Sequence, residues 1–304
     1  MSTDSQTCVY GAPPASLADT PEGAVQVSPT VAGSSRLEDL APQSLTEAVI
    51  AAPPGAAERR YVLALTLRAL AAGAHLTAMA PKDRGGSRLR KELEGFGCLV
   101  EDTGRQHQRI CRAERPAAPT GLDEAIAAGG PQKAPALDLW TQPGLFSWDR
   151  PDPGSQLLIS ALPALTGHGA DLGCGAGLLA QAILTRTGVT QLELVDIDRR
   201  AIDAAKRNIH DPRAKLHWTD ARTAPELEGL NFVVMNPPFH DGGHEDRRLG
   251  QAFIARAHQI LKKGGALWVV ANRHLPYEAV LSDNFSHVDL KAEAKGFKVY
   301  EARK

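Results

Sequence analysis

Asn236-Pro237-Pro238-Phe239 follows directly on the apolar run Phe232-Val233-Val234-Met235, which reads as a buried strand. The two prolines remove two backbone donors and stiffen the turn, so that carbonyl oxygens point into whatever crevice lies beyond the strand. The Asn236 amide oxygen and the Pro237 carbonyl then form a pair of acceptors beside the flat ring of Phe239. Such a pair suits one kind of chemistry. An amino group on an aromatic base is a poor nucleophile because its lone pair is delocalised into the ring. Accepting hydrogen bonds from both of its N–H groups draws the nitrogen toward a tetrahedral shape and favours the positive charge it develops in attack. A stacked Phe239 can hold the base in line with an electrophilic methyl, with reacting atoms ~3–3.5 Å apart.

A second motif supplies a place for the other reactant. Asp171-Leu172-Gly173-Cys174-Gly175-Ala176-Gly177 follows a strand and opens a helix, so Gly173, Gly175 and Gly177 can make a tight turn on which a ligand lies against bare backbone. Asp196 ends the next strand, about twenty residues on, where a carboxylate can accept from both ribose hydroxyls of an adenosine. Its neighbour Asp198 reads equally well as a helix cap and is assigned to structure. A plain strand-to-helix connection would also account for the glycines, and a proline-rich turn for the Asn-Pro-Pro segment; it is their joint placement that favours a site. Nicotinamide cofactors use a similar crevice, but the Asn-Pro-Pro turn argues against them. Cys174 is not needed as a nucleophile for methyl transfer to an amine, and His240 and His244, with Asp241 nearby, lie in a polar Gly-containing loop without a third strong ligand at fixed spacing, so no metal is expected.

These motifs need a sheet to hold them. The spacing predicts a helix over 154–162, a short strand ending at Asp171, a helix over 178–186, a strand over 191–195 and a helix capped by Asp198. Strands over 215–217 and 231–235, a helix over 249–261 and a strand over 266–270 follow. Repeated strand–helix units imply a parallel sheet with helices on both faces. Segments 288–293 and 296–301 are joined by a tight turn and must pair antiparallel. The expectation is an α/β fold: a Rossmann-like sheet that ends in an antiparallel hairpin, the layout associated with class I methyltransferases. The strand before Asp171, Gly167-His168-Gly169-Ala170, lacks bulky apolar residues and is expected to be short or loosely packed.

Upstream, residues 1–35 are rich in Ser, Thr, Pro, Ala and Gly with little periodicity and read as a disordered tail. Residues 36–116 carry a smaller α/β pattern, too short for a doubly wound sheet: a helix over 58–71, a strand over 75–80, a basic helix over 87–96, and strands near 98–101 and 109–113. Residues 117–140 read as a linker with one short helical piece, leaving 141–304 as the catalytic domain.

The Asn-Pro-Pro-Phe motif resembles that of amino-group methyltransferases, and with His240-Asp241-Gly242 it resembles the RsmC-type family of small-subunit ribosomal RNA guanine-N2 methyltransferases. Further matches are Gly144-Leu145-Phe146-Ser147, Asp152-Pro153-Gly154-Ser155-Gln156-Leu157-Leu158, Ala271-Asn272-Arg273, Leu275-Pro276-Tyr277 and Phe297-Lys298-Val299-Tyr300, over roughly residues 140–304. The resemblance implies S-adenosylmethionine as cofactor and methylation of a guanine amine in 16S ribosomal RNA. It implies Asn236, Pro237 and Phe239 as the catalytic set, and Phe146 and Ser147 as a lid over the cofactor. Asp220 falls where this fold contacts the adenine amino group, though a plain loop acid would look the same. Family members carry an N-terminal domain that looks like a degenerate methyltransferase copy. Pro81-Lys82-Asp83-Arg84-Gly85-Gly86-Ser87 and the basic helix after it resemble part of that domain, which here is expected to be truncated, without its early strand–helix units.

Composition bounds the partners. Of 304 residues, 43% are apolar and 23% charged, with a formal net charge of -1, so any RNA contact must come from local patches. One such patch is 81–115, with nine basic residues against six acidic. Lys82, Arg84, Arg88 and Arg90 are its candidates for phosphate contact, although a solvated face has the same look. The four cysteines are scattered, the longest apolar run is about a dozen residues against the ~20 that cross a bilayer, and no export signal is visible. The expected setting is a cytoplasmic monomer without a membrane or metal, acting on ribosomal RNA or the small ribosomal subunit. Two alternatives stay open: another amine (a large-subunit guanine, a DNA adenine, a protein glutamine), or a catalytically silent RNA-binding or assembly factor.

Overall fold

The computed structural model of the protein describes residues 6–304 apart from 225, 226, 238, 239, 242, 243, 246, 275 and 276. The chain divides into two compact units, residues 1–131 with 142–144, and residues 132–141 with 145–304.

The first unit contains β1 (Gln6–Tyr10), β2 (Val25–Gln26), β3 (Leu45–Ala51), α1 (Ala56–Ala69), β4 (Leu70–Pro81), α2 (Ser87–Gly95), β5 (Val100–Arg105), β6 (Gln108–Glu114) and α3 (Leu122–Gly129). Its six strands lie in the order β2-β1-β3-β4-β6-β5; the first four are parallel and β6 and β5 run antiparallel. Cys8, Ala48, Ile50, Leu76 and Ala78 of the sheet are buried with Leu63 and Leu67 of α1 and Leu89 and Leu93 of α2. The expected disordered tail is therefore corrected: β1 is an inner strand, and Leu17 from the loop after it covers Val49, Met79 and Ile110 on the opposite face. A parallel strand pairs only with segments distant in sequence, so local composition cannot reveal it. The stretch read as a linker carries the short helical piece expected there, α3, and this helix packs on α1 so closely that Gly129 leaves no room for a β-carbon beside Tyr61.

The second unit comprises β7 (Gln132–Ala134), β8 (Leu139–Thr141), α4 (Pro153–Ala161), β9 (Gly167–Leu172), α5 (Leu178–Leu184), β10 (Val189–Asp196), α6 (Arg199–Asn208) and β11 (Ala214–Trp218). It continues through β12 (Leu230–Met235), the two-residue strands β13 (His240–Asp241) and β14 (His244–Glu245), α7 (Arg247–Ile260), β15 (Leu261–Asn272), α8 (Tyr277–Asn284), β16 (His287–Ala294) and β17 (Phe297–Arg303). Seven strands form one sheet in the order β11-β10-β9-β12-β15-β17-β16, parallel up to β15 and closed by the antiparallel pair expected from the sequence. One face, with Leu192, Leu194, Val234 and Trp268, packs on α4 and α5 through Leu158, Leu179 and Ile183. The other, with Ala170, Leu172, Val233 and Leu267, packs on α7 and α8 through Ile254, Ala257 and Leu281. The small hairpin β7–β8 is pinned to α6 by Asn208, which exchanges hydrogen bonds with the Trp140 backbone at 2.8 Å. No helix among the described residues is long and apolar enough to cross a membrane.

The strand preceding Asp171 is not loosely packed. β9 is an inner strand between β10 and β12, and the space above Gly169 is filled by the Phe232 ring of its neighbour, so a β-carbon there would overlap the ring. The bulk missing from this strand is supplied by the next one.

Removing β11 from the second sheet leaves the order β10-β9-β12-β15-β17-β16, which matches the first sheet strand for strand and direction for direction. The first unit therefore keeps the early strands that the sequence was expected to lack; among the described residues no α-helix joins them, only a short 3-10 turn at Leu37–Asp39. After β3 it also keeps a proline pair, Ala52-Pro53-Pro54, where β12 is followed by Asn236-Pro237-Pro238. Alanine replaces the amide. Arg59 of α1, 2% exposed, donates to the Pro53 and Pro54 carbonyls at 3.2 and 2.7 Å and pairs with Glu92 at 2.7 Å.

Candidate active site

β9 and β12 are neighbours, paired in register with Val234 beside Asp171. Parallel strands lie about 4.8 Å apart, so the glycine turn that leaves β9 and the Asn-Pro turn that leaves β12 emerge side by side at the carboxyl end of the sheet. Side chains two apart on a strand share a face, which puts Asn236 on the face of Val234 and Asp171, the face covered by α4 and α5.

In the glycine turn, Gly173, Gly175 and Gly177 have φ of 78, 53 and 91°, a left-handed region costly for other residues. The space where a β-carbon would stand on Gly175 is open. The turn is held from the next strand: Asp196 Oδ2 accepts from Gly175 N and Oδ1 from Asp198 N, both at 2.9 Å. Asp198 caps α6 by accepting from Arg200 N, as its structural assignment required. Burial pushes the Asp196 carboxyl up to about 6, against the pull of hydrogen bonds from Asp198 and Gly175. Asp171 is fully buried, neither carboxylate oxygen has a partner among the described residues, and burial, then the nearby charge of Asp196, push it up to about 8. Burial first, then Asp196 and Asp171, also raise the Cys174 thiol well above its ordinary range, which leaves it unreactive.

On the β12 side, Pro237 is buried and Asn236 half-buried. The Asn236 amide nitrogen donates to Asp152 Oδ2 and Ser155 Oγ, each at 2.9 Å, while its Oδ1 is buried without a partner among the described residues. Three partnerless oxygens thus stand on one face at the carboxyl ends of two adjacent strands. Isolated buried acceptors cost roughly 1–3 kcal/mol each and ask for an explanation, of which a donor-bearing ligand is the simplest. Phe239 lies outside the described residues.

The remaining candidates are distributed more widely. Leu145 and Trp148 pack on Ala201, Ala204 and Ala176, which brings the segment between them to the glycine turn; Phe146 there is 69% exposed and Ser147 has φ 50°. Asp220 follows β11 and is gripped by Arg222 through a hydrogen-bonded ion pair at 2.6 Å, which holds its carboxyl below the usual range against a smaller effect of burial. Lys82, Arg84, Arg88 and Arg90 belong to the first unit; Lys82, Arg88 and Arg90 are exposed, and Arg90 pairs with Glu94 one helical turn away. Asp152 and Ser155 were not singled out for chemistry by the sequence, because Asp-Pro-Gly-Ser reads completely as a helix start. No cluster of three or more His, Cys, Asp or Glu placed to hold a metal occurs among the described residues.

A family model described as "Methyltransferase small domain" matches residues 136–301. The chain is 39% identical over 160 residues to the "Ribosomal RNA small subunit methyltransferase C" of Shewanella sediminis, an alignment covering 52% of this chain and 46% of that protein. With the protein of the same name from Pseudomonas aeruginosa the identity is 32% over 281 residues, covering 90% of this chain and 83% of the relative. Among solved structures, a T. thermophilus 16S rRNA N2 methyltransferase (RsmC) in complex with AdoMet and guanosine matches at a TM-score of 0.80 and 24% identity, covering 98% of this chain and 88% of that one. That likeness is one of fold, and it extends through both units.

Proposed function

The chain belongs to the ribosomal RNA small subunit methyltransferase C family, and from that premise we propose that it methylates the exocyclic N2 amine of a guanine in 16S ribosomal RNA. It would act as a cytoplasmic monomer without a metal ion, on naked RNA or on the small subunit. The observation that carries the reading is the set of three partnerless oxygens, two on Asp171 and one on Asn236, on adjacent strands of one sheet face.

The residues present fit S-adenosylmethionine, which supplies an electrophilic methyl on its sulfonium when bound. Asp171 offers two free acceptors to an ammonium group, the Gly173–Gly177 turn offers bare backbone, and Asp196 retains lone pairs for ribose hydroxyls beyond its two backbone bonds. Phe146 and Ser147 are the candidate lid, and Asp220 the candidate adenine contact. Asn236 Oδ1 and the Pro237 carbonyl accept from the two N–H groups of the incoming amine, holding its lone pair free for in-line attack. Phe239 stacks on the base. No buried base is required, because the positively charged product amine is a strong acid and releases its extra proton to water. Lys82, Arg84, Arg88 and Arg90 would add phosphate contacts.

The test is to supply labelled S-adenosylmethionine with unmodified small ribosomal subunits and map the label. A guanine N2 label that is sharply reduced in Asn236→Ala, with cofactor binding by calorimetry unchanged, is expected; label on another nucleotide, protein or DNA overturns the assignment. Absence of cofactor binding by the folded wild type would favour a silent assembly factor.

A further inference from the structure

A primary amide can face a partner with either end. Turned by 180°, Asn236 would offer two N–H donors to an incoming amine and repel it. Its neighbours decide which end is presented. Asp152 Oδ2 and Ser155 Oγ each lie 2.9 Å from the amide nitrogen. A carboxylate can only accept, so the nitrogen must face Asp152, and two acceptors consume both of its hydrogens. The oxygen is thereby left over, and it has no partner among the described residues.

The pair is itself firmly held. Asp152 and Ser155 are 8% and 7% exposed, and the same Asp152 oxygen accepts from Ser155 N at 2.7 Å as the cap of α4. Pro153 at the first helical position needs no hydrogen-bond acceptor. Gly154 lets the Phe297 ring close over the turn, since a β-carbon there would stand 2.8 Å from that ring and 3.1 Å from Asp152 Oδ2.

Resting on the methyl-transfer reading, we propose that Asp152 and Ser155 are positioning residues that lock Asn236 as a pure acceptor, so that the site admits a reacting atom bearing N–H groups and rejects a keto oxygen or a bare ring nitrogen. The selection is made one residue away from the substrate. A wrong base atom meets an unpaired buried oxygen, and the amide cannot turn to suit it without leaving the Asp152 carboxylate facing another oxygen.

The experiment uses the full chain, labelled S-adenosylmethionine and unmodified small ribosomal subunits, with turnover and KM measured separately, in the variants Asp152→Ser, Asp152→Asn and Ser155→Ala. Serine is as good a helix cap as aspartate but is too short to reach Asn236. Asp152→Ser is expected to melt like wild type, bind the cofactor normally, keep its KM and lose about 10²-fold in kcat, the scale of a small misplacement of a reacting group. Asp152→Asn, whose amide oxygen can take both bonds, recovers most of that loss. In an Asn236→Ala background, Asp152→Ser costs less than about twofold, because residues acting through one another are not additive. Should Asp152→Ser melt early, Ser155→Ala keeps the cap through its backbone N–H and carries the same test. Wild-type turnover in Ser155→Ala together with Asp152→Ser, or a full 10²-fold loss in the Asn236→Ala background, overturns the positioning role and leaves the methyl-transfer reading standing. A wild type that labels no amine removes both.

Discussion

Asp171 and Asn236 stand on the same face of adjacent parallel strands, and each keeps side-chain oxygen buried without a hydrogen-bond partner among the described residues. An ordinary core would have evolved apolar groups at both positions. Their retention costs stability in the ligand-free state, and the cost has a definite pH dependence.

The Asp171 carboxyl has a pKa of about 8 in the folded chain, against an ordinary 3.8, chiefly through burial. A carboxyl with a raised folded pKa binds its proton more tightly when folded, so its contribution is fully present below about pH 4 and is lost as pH rises toward 8. Asp171→Asn removes that dependence. In ligand-free protein the variant should be more stable than wild type at pH 8.5, by on the order of 1–3 kcal/mol, and bind S-adenosylmethionine more weakly. Thermal unfolding from pH 5 to 9 reads the first effect and calorimetry the second; equal pH profiles would refute it.

Cofactor binding should expel a proton near neutral pH. The protonated Asp171 must ionise to receive an ammonium group, so the heat of binding at pH 7 should vary with the ionisation enthalpy of the buffer. Asp171→Asn should bind with a heat that depends much less on the buffer. Titrations in phosphate and Tris at one pH are sufficient to see the difference.

Glu193 ties three strands of the second sheet together. It accepts from His168 at 2.8 Å and His217 at 2.6 Å, and from Gln191, with its side chain 5% exposed. Burial alone would raise its pKa, but the hydrogen bonds from His217, Gln191 and His168 prevail and hold it below the usual carboxylate range. A depressed folded pKa gives stability that is present above the unfolded value and lost as pH falls through the folded one. Glu193→Gln should therefore cost about 1–3 kcal/mol at pH 7 and narrow its deficit against wild type below pH 4, as read by urea unfolding across pH.

In the first unit, the Arg59 guanidinium occupies the proline carbonyls equivalent to those after β12 and closes against Glu92. Arg59→Leu strands Glu92, 11% exposed at its side chain, and should destabilise this unit by roughly 3–5 kcal/mol. Arg59→Leu with Glu92→Leu should recover much of that. Neither variant should show methyl transfer from the first unit, because Ala52 replaces the amide; denaturant unfolding and label mapping check the two statements.

Gly169→Ala places a β-carbon in the space held by the Phe232 ring and should destabilise the second unit by about 1–3 kcal/mol. Adding Phe232→Leu should restore part of the loss, a compensation that thermal unfolding of the two single variants and the double variant would measure.

What the sequence alone could determine was local or short in range. Asn236-Pro237, the Gly173–Gly177 turn, Asp196 and the Asp198 cap each owe their meaning to a strand end or a helix start within a few residues, and the closing hairpin owes its direction to a tight turn. Tertiary structure decided the rest. β1 becomes an inner strand by pairing with β3 about forty residues on, a partnership that leaves no trace in local composition. Gly169 looked like weakness until Phe232, from a strand sixty residues away, filled its place. Asp152 looked like a cap and nothing more, because the bond that turns it toward Asn236 spans 84 positions of chain. Residue type is written in the chain, but which end of an amide faces a substrate depends on neighbours that only folding assembles.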